Sequence, residues 1–236
     1  MQFLKATMAS LVLLIVGTIA DAAQFPPPLQ PTPFEAKYSA SYNGLPIETT
    51  RTLAKSGETF EAVTEADNFL GSIREAETFR VDDKGSVDST SYQYSRSILG
   101  KERTENSSFT ANGRRASNTY KGETLRFDSV DHLLGPLGYQ TQMQLDLLRG
   151  ASDLRYAVLS RGKIRDYQFA RQGNEAISTS LGTLDTIVVD RLRTESTRKT
   201  RIWLAPNLGY LPVKLVQEED GERYEMQIES YRTLAE

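Results

Sequence analysis

The stretch FEAKYSASY, from Phe34 to Tyr42, alternates apolar and polar residues. Its apolar residues take every second position: Phe34, Ala36, Tyr38, Ala40 and Tyr42. Successive side chains of a strand point to opposite faces, so this alternation predicts a strand with one face on a core and the other in water. A segment near the C-terminus, 223–229, alternates in the same way, with Tyr224, Met226 and Ile228 on its apolar side.

Turn-forming residues separate many short runs between these two segments. They recur roughly every ten to twenty positions, which is typical of sequential antiparallel hairpins. The turn signals are Ser56-Gly57-Glu58, Asp82-Asp83-Lys84-Gly85, Ala111-Asn112-Gly113, Lys121-Gly122-Glu123, Arg161-Gly162-Lys163, Gly173-Asn174 and Asp220-Gly221.

The stretch RIWLAPNLGYLPVKLVQ, residues 201–217, holds the only tryptophan of the chain and is either an active-site loop or a corner of the sheet. Its composition favours the corner: a strand over 200–204, a turn over 205–209 and a returning strand over 211–217. Pro212 falls at the start of the returning strand, where a missing hydrogen-bond donor is tolerated. We expect Trp203 to pack beside the turn.

One segment, 136–149, has the period of a helix instead. Leu137, Leu145 and Leu148, with Leu134 just upstream, predict an apolar stripe opposite the polar residues Gln140, Gln142 and Asp146. Pro136 suits a first helical turn, and Gly150 suits a helix end. The predicted fold is therefore mostly β: a long curved antiparallel sheet or open β-barrel with one α-helix packed against it.

The chain is predicted to have three parts. Residues 1–23 have the pattern of a cleaved signal peptide, with Lys5, an apolar run over 8–20 and small residues before the cleavage zone. Residues 24–33 form a proline-rich leader, for which a spacer is favoured over a ligand of a proline-binding module. Residues 34–236 form a single β-rich domain. We expect a periplasmic protein with no membrane span after signal cleavage.

Composition excludes several classes of function. The 236 residues contain no cysteine, so there are no disulfides, and a single histidine leaves no metal site of the His/Cys type. Without residues 1–23, 27 basic and 30 acidic residues remain and the net charge stays at -3 (27 minus 30), which argues against nucleic-acid binding. No cofactor is expected.

Candidates for catalysis are sparse. His132 is a candidate general base beside Asp128 or Asp131, but no nucleophile can be assigned to it, so an ordinary polar residue is favoured. The Ser-x-x-Lys spacing occurs at 160–163 and 196–199, outside any predicted helix, and chance explains it better. The carboxylates at 218, 219, 220 and 222 flank a turn and predict a solvated hairpin tip instead of a glycosidase pair.

Two features favour a binding protein. A basic stretch, with Arg191, Arg193, Arg198, Lys199 and Arg201, would suit an anionic lipid, although a solvated sheet face is the more ordinary interpretation. The aromatic residues would suit the rim of an apolar cavity, or they would simply fill it. The candidate ligand-binding residues are Tyr38, Leu134, Tyr139, Leu145, Leu148 and Trp203.

Six short segments resemble the bacterial domain-of-unknown-function 3108 family. They are FEAKY at 34–38 with YNGLP at 42–46, GTLDT at 182–186, WLAP at 203–206 with LPVK at 211–214, and GE at 221–222. Leu184 departs from the phenylalanine usual in the family, which affects packing only. The resemblance spans about 34–231 and implies an exported envelope protein of Gram-negative bacteria with a β-rich fold and no established activity, cofactor or catalytic residues. The open barrels that shuttle lipoproteins offer an analogy in outline.

Three functional hypotheses follow. The leading one is a non-enzymatic periplasmic binding or assembly factor, whose curved sheet shelters a lipid, a lipidated chain or a segment of an envelope protein. The alternative is a protein-interaction scaffold without a ligand cavity, docked through an edge strand or the leader. A hydrolase using His132 is the third.

Overall fold

The computed structural model describes residues 29–110, 113–128, 131–194 and 196–235, so the predicted signal peptide lies outside the described residues. Of the proline-rich leader, residues 29–33 are described. They run along the domain, where Pro31 and Pro33 are buried and the carbonyl of Pro33 accepts a hydrogen bond from the amide of Leu234 (3.0 Å).

Fourteen strands of the described residues form one antiparallel sheet, accompanied by an α-helix and a 3-10 helix. In chain order the elements are β1 (Phe34–Tyr42), β2 (Leu45–Ser56), β3 (Thr59–Asn68), β4 (Gly71–Val81), β5 (Val87–Ile98), β6 (Lys101–Thr110), β7 (Arg115–Tyr120), β8 (Glu123–Asp128), α1 (Gly138–Leu148), β9 (Leu154–Ser160), β10 (Lys163–Thr179), β11 (Gly182–Leu192), β12 (Lys199–Ala205), the 3-10 helix (Pro206–Leu208), β13 (Leu211–Glu219) and β14 (Glu222–Thr233).

The sheet is a meander whose first and last strands meet in its middle. Each of β2 to β8 and each of β10 to β14 pairs with the strand before it, and β1 also pairs with β14. The mostly β fold with one helix is confirmed, and hairpins form at the predicted turns with one exception. Gly173-Asn174 is not a turn but lies at a bulge within β10. In β1 the alternation is also confirmed, since Phe34, Ala36, Tyr38 and Ala40 are all buried.

The sheet curves until its two edge strands, β8 and β9, lie near each other without pairing. The segment between them fills the gap: the amide of Leu133 donates to the carbonyl of Gly113 (3.3 Å), and the amide of Leu134 donates to the carbonyl of Ala157 (2.9 Å). Leu133 also packs in a small core cluster with Tyr92, Phe109, Ala116 and Leu159. The fold is therefore an open barrel, sealed by side chains and one chain segment.

A polar clamp also crosses this gap; it comprises Glu105, Ser107 and Asn118 with the β9–β10 turn. The side-chain amide of Asn118, a fully buried residue, donates to Glu105 Oε1 (2.7 Å) and to Ser107 Oγ (2.8 Å). The turn donates back, from the amide of Arg161 to Glu105 Oε1 (2.6 Å) and from the amide of Gly162 to Asn118 Oδ1 (2.9 Å). Strands β6 and β7 are thereby tied to the opposite end of the sheet.

The helix occupies most of the predicted range and ends as predicted. Gly150 has a φ of 78°, and its amide donates to the carbonyl of Leu147 while the amide of Ala151 donates to that of Asp146. These two bonds form a Schellman motif, which glycine permits because its left-handed backbone carries no Cβ penalty.

The predicted apolar stripe of the helix is wrong in detail. Leu148 is 46% exposed, whereas Leu147 and Gln142 are buried. The helix contacts β4, β5 and β9, so it is covered from several directions, and Gln142 supplies hydrogen bonds that the sheet needs. Its Oε1 accepts from the amide of Val87 (2.7 Å), and its Nε2 donates to the carbonyl of Gly85 (3.1 Å).

The stretch at 201–217 is a corner of the sheet, as predicted. Strands β12 and β13 pair on either side of the 3-10 helix, and the chain turns through positive φ at Gly209 (64°) and Tyr210 (59°). Trp203 is buried, and its indole Nε1 donates to Glu175 Oε2 (2.8 Å).

Candidate functional site

The inner face of the curved sheet encloses an apolar pocket beside the start of α1. Its volume is about 340 Å³. Most of its lining is apolar, with a few polar groups at its margins. The lining comprises Ile47, Thr49, Arg51, Thr64, Ala66, Asp67, Asn68, Gly71, Ile73, Glu75, Ile98, Leu137, Tyr139, Gln140, Met143, Ile202, Pro212, Leu215, Tyr224 and Met226.

A second, polar cavity adjoins this pocket, and we call it the arginine cleft. Its volume is about 1030 Å³, and five of its lining residues are arginines. Glu75, Tyr139 and Gln140 line both cavities, so the two adjoin each other. The lining comprises Glu75, Tyr92, Tyr94, Glu105, Pro136, Tyr139, Gln140, Ser160, Arg161, Arg165, Asp166, Tyr167, Gln168, Arg191, Leu192, Arg193, Thr194, Ser196, Arg198 and Glu219.

A row of polar residues crosses the inner face where the two cavities meet. Strand register aligns Arg51 with Thr64, Thr64 with Glu75, Glu75 with Tyr94, and Tyr94 with Glu105. Residues directly opposite in an antiparallel pair share a face, so one register position in five strands creates the whole row. The row runs from the apolar pocket, which Arg51 and Thr64 line, to the arginine cleft, which Tyr94 and Glu105 line, and Glu75 lines both.

Glu75 stands at the centre of this row. Burial raises the pKa of its carboxyl, and the hydrogen bond from the Tyr92 hydroxyl (3.3 Å) acts in the opposite direction. Desolvation disfavours the charged form of a carboxylate, whereas a donated hydrogen bond favours it. Burial is the larger of these two effects, so the carboxyl at the centre of the row loses its proton less readily than a free glutamate does.

Three arginines gather at the far side of the cleft. The guanidinium carbon of Arg191 lies 3.2 Å from the ring centroid of Tyr167. Arg193 Nη1 donates to the carbonyl of Arg198 (3.2 Å) and to Thr200 Oγ1 (3.1 Å), while Arg198 forms an ion pair with Glu219. Burial lowers the pKa of Arg193 to about 10, and the neighbouring charges of Arg191 and Arg198 act in the same direction. Their chemical type was evident from composition, but only the fold brings them together at the cleft.

The start of α1 is fixed by a buried carboxylate from the sheet. Glu77 Oε2 accepts the amides of Leu137 (2.7 Å) and Gly138 (2.9 Å), and Glu77 Oε1 accepts the hydroxyl of Ser89 (2.6 Å). Burial raises the pKa of Glu77 to about 7, against the lowering effect of these hydrogen bonds. This anchor sets the position of Tyr139 and Gln140, which line both cavities.

The predicted ligand-binding residues lie in different environments. Tyr139 lines both cavities, whereas Tyr38, Leu134 and Leu145 are core residues with at most 1% exposure. Leu148 is exposed. Trp203 follows Ile202, which lines the apolar pocket, so strand alternation directs Trp203 to the other face of β12. Ligand binding by these six residues stays a prediction.

Five lining residues of the two cavities were not predicted from the sequence: Arg51, Glu75, Arg161, Arg165 and Tyr167. Each is an ordinary strand or turn residue whose importance depends on distant strands. The alternation of β4, with Ile73, Glu75 and Glu77 on one face, was the available signal, because it placed two carboxylates among apolar inward positions.

The candidate catalytic groups form a structural hydrogen bond or lie at hairpin turns. His132 is exposed, and its Nε2 lies 2.6 Å from the carbonyl of Val87, so that nitrogen carries a proton and donates it. Ser160 and Lys163 flank the β9–β10 turn, and the acidic residues at 218–222 form the β13–β14 hairpin tip. Within the described ranges, no group of three acidic or histidine side chains is placed to hold a metal ion.

Within the described residues, 29–110, 113–128, 131–194 and 196–235, no helix is long and apolar enough to cross a bilayer.

Comparisons with known proteins give a family and one solved structure of similar fold. The profile of the family described as "Protein of unknown function (DUF3108)" matches residues 37–229. The crystal structure of a beta-barrel-like protein of domain of unknown function DUF1849 from Brucella abortus is similar, with a TM-score of 0.58 and 10% identity over 87% of this chain and 99% of that chain. The crystal structure of MucB gives a TM-score of 0.32 and 11% identity over 86% of this chain and 54% of that chain. No curated protein matches.

Proposed function

The chain belongs to the DUF3108 family of proteins of unknown function, and from that premise we propose that it is a non-enzymatic binding protein. Its apolar pocket would shelter the acyl chain of a lipid or of a lipidated protein. The pocket itself is the observation that carries this proposal, since its volume of about 340 Å³ falls in the range of small-molecule sites, roughly 300–1,000 Å³.

The surrounding core is well packed, which argues that the pocket is a specific feature. Leu137 and Met143 line it and are almost completely buried, as is Tyr38 nearby in the core. An apolar pocket of this size between a helix and a sheet, partly open to solvent, would admit a ligand. The acyl chain would end at Glu75, where the pocket meets the arginine cleft.

We also propose that the protein acts in the periplasm, on the basis of the signal-peptide pattern at 1–23. Mass spectrometry of the protein purified from a periplasmic fraction is expected to give a mature chain that begins at Gln24. A full-length chain recovered from the cytoplasm would contradict this location.

Binding of a dansyl-labelled fatty acid tests the pocket. The wild type is expected to enhance the dansyl fluorescence, and native mass spectrometry should show a one-to-one complex. Ala66→Trp, which places an indole in the pocket, should abolish binding while circular dichroism shows the same fold.

Glu61→Trp is the matched control, because Glu61 is an exposed residue of the same strand. It should bind like the wild type. Equal binding by the wild type and Ala66→Trp, or no binding by the wild type, would contradict the proposal.

A further inference from the structure

We propose that the arginine cleft is the headgroup site of an anionic amphiphile, with Arg191 and Arg193 holding a phosphate or carboxylate group. This inference rests on the proposed function, because the chain of the same amphiphile would lie in the apolar pocket. It gives the ligand a chemical class: one apolar chain joined to one anionic head.

Arg191 and Arg193 lack carboxylate partners in the described ranges. Arg198 pairs with Glu219, but neither Arg191 nor Arg193 forms an ion pair with an acidic residue there. Arg191 Nε is also buried without a hydrogen-bond acceptor. Buried donors in folded proteins normally have partners, so a group other than the described side chains is indicated.

The carboxylates that line the cleft are committed elsewhere or stand apart. Glu105 accepts hydrogen bonds from Asn118 and the Arg161 amide, and Glu75 accepts from Tyr92. Asp166 is exposed and forms no ion pair with either arginine. The positive charge of Arg191 and Arg193 is therefore left for a ligand.

The arrangement of the two arginines suits an oxyanion. Arg191, near the end of β11, and Arg193, just after that strand, both line the cleft. The ring of Tyr167 holds the guanidinium of Arg191 in place, and two hydrogen bonds hold that of Arg193. Two preorganised guanidinium groups can donate several parallel hydrogen bonds to phosphate or carboxylate oxygens.

The arginine cleft adjoins the apolar pocket, and this arrangement favours an amphiphile over a free anion as the ligand. Tyr139 and Gln140 line both cavities, so one molecule can place its chain among Ile73 and Met143 and its head at the arginines. A small free anion would use the cleft alone.

Isothermal titration with three probes tests the inference. The probes are dodecyl phosphate, dodecyl maltoside with the same chain and a neutral head, and inorganic phosphate, with both detergents below their critical micelle concentrations. We expect the wild type to bind dodecyl phosphate about tenfold to a hundredfold more tightly than dodecyl maltoside, the effect of one or two charge-assisted hydrogen bonds. Inorganic phosphate alone should bind far more weakly.

The double variant Arg191→Gln/Arg193→Gln should lose this preference, and Arg126→Gln, which replaces an exposed arginine of β8, should keep it. Because the double variant removes contacts to Tyr167 and Thr200, its fold is checked by circular dichroism. If the double variant does not fold, the wild type alone tests the inference through its salt dependence. Its affinity for dodecyl phosphate should fall with added sodium chloride, whereas its affinity for dodecyl maltoside should not.

Other outcomes overturn the inference in distinguishable ways. Equal affinity for the two detergents in the wild type, without salt dependence, removes the headgroup site but leaves the chain-binding function intact. Inorganic phosphate binding as tightly as dodecyl phosphate makes the cleft a site for free anions. Failure of both detergents to bind removes the proposed function together with the inference.

Discussion

At the scale of single residues, Glu77 shows how one buried carboxylate replaces a local helix cap. The first amides of a helix have no partners within it, and here the N-cap residue, Leu137, has no side chain able to accept them. Glu77 accepts two amides at the helix start, where the helix dipole also favours a negative charge.

At pH 5, Glu77→Gln is expected to lower the free energy of unfolding by about 1–3 kcal/mol, because one of the two oxygens that accept hydrogen bonds is replaced by a nitrogen that only donates. Urea denaturation measures the change. Glu61→Gln, at an exposed position of β3, is the control and should differ from the wild type by less than about 0.5 kcal/mol. Equal stability of Glu77→Gln and the wild type would show that the amides of Leu137 and Gly138 do not depend on this carboxylate.

The raised pKa of Glu77 also predicts a pH dependence. Its pKa rises from 4.5 to about 7 on folding, so between these values the folded state binds more protons than the unfolded state. The stability that this pKa shift contributes is fully present below pH 4.5. It is lost as the pH rises through 7, and the loss is on the order of 3 kcal/mol. The stability difference between the wild type and Glu77→Gln should therefore narrow from pH 5 to pH 8. A stability difference that does not change with pH would exclude Glu77 as the source of the pH dependence.

Residues with local signals were predictable, and residues with distant partners were not. The alternation of β1 identified Tyr38 as an inward residue, which is buried and whose hydroxyl donates to the carbonyl of Pro212 (3.0 Å). Glu77 meets the helix 60 positions along the chain, and no local pattern encodes that contact.

At the scale of elements, α1 is fixed by close contacts at its start instead of by an apolar stripe. A Cβ on Gly138 would lie 2.5 Å from Glu77 Oε1 and 2.7 Å from Ser89 Oγ. Only glycine lets the carboxylate approach the helix amides at this distance.

Gly138→Ala is accordingly expected to destabilise the protein by about 1–3 kcal/mol, although alanine favours helices more than glycine does. Thermal and urea unfolding measure the change. Leu148→Ala, on the exposed side of the same helix, should cost less than about 0.5 kcal/mol. A large loss at Leu148, or a gain at Gly138, would contradict this description of the helix.

The end of α1 was predictable, because Gly150 forms a Schellman motif from local backbone geometry. Its buried face was not predictable, since the sheet surrounds the helix and uses polar Gln142. Similarly, the basic stretch could be recognised by composition, but only the register shows that Arg201 forms a salt bridge with Asp190 whereas Arg191 and Arg193 line the cleft.

At the scale of the whole molecule, the sequence predicted the hairpins because each depends on a few turn residues. The pairing of β1 with β14 joins the two ends of the domain, and turn signals carry no information about it. The cavities arise from the same long-range closure. Their volumes depend on how far the edges approach each other, and this distance is set by contacts such as those of Asn118.

Asn118→Ala is therefore expected to loosen the closure of the open barrel. It leaves the amide of Gly162, Ser107 Oγ and Glu105 Oε1 each short of a partner in a buried network, which should cost about 2–4 kcal/mol. Hydrogen exchange should rise first at the β9–β10 turn and in β7, because the clamp joins these elements across the gap. Arg126→Ala, at an exposed position of β8, is the control. Uniform exchange throughout the sheet would mean that the edges are held together by the apolar cluster around Leu133 and not by the polar clamp.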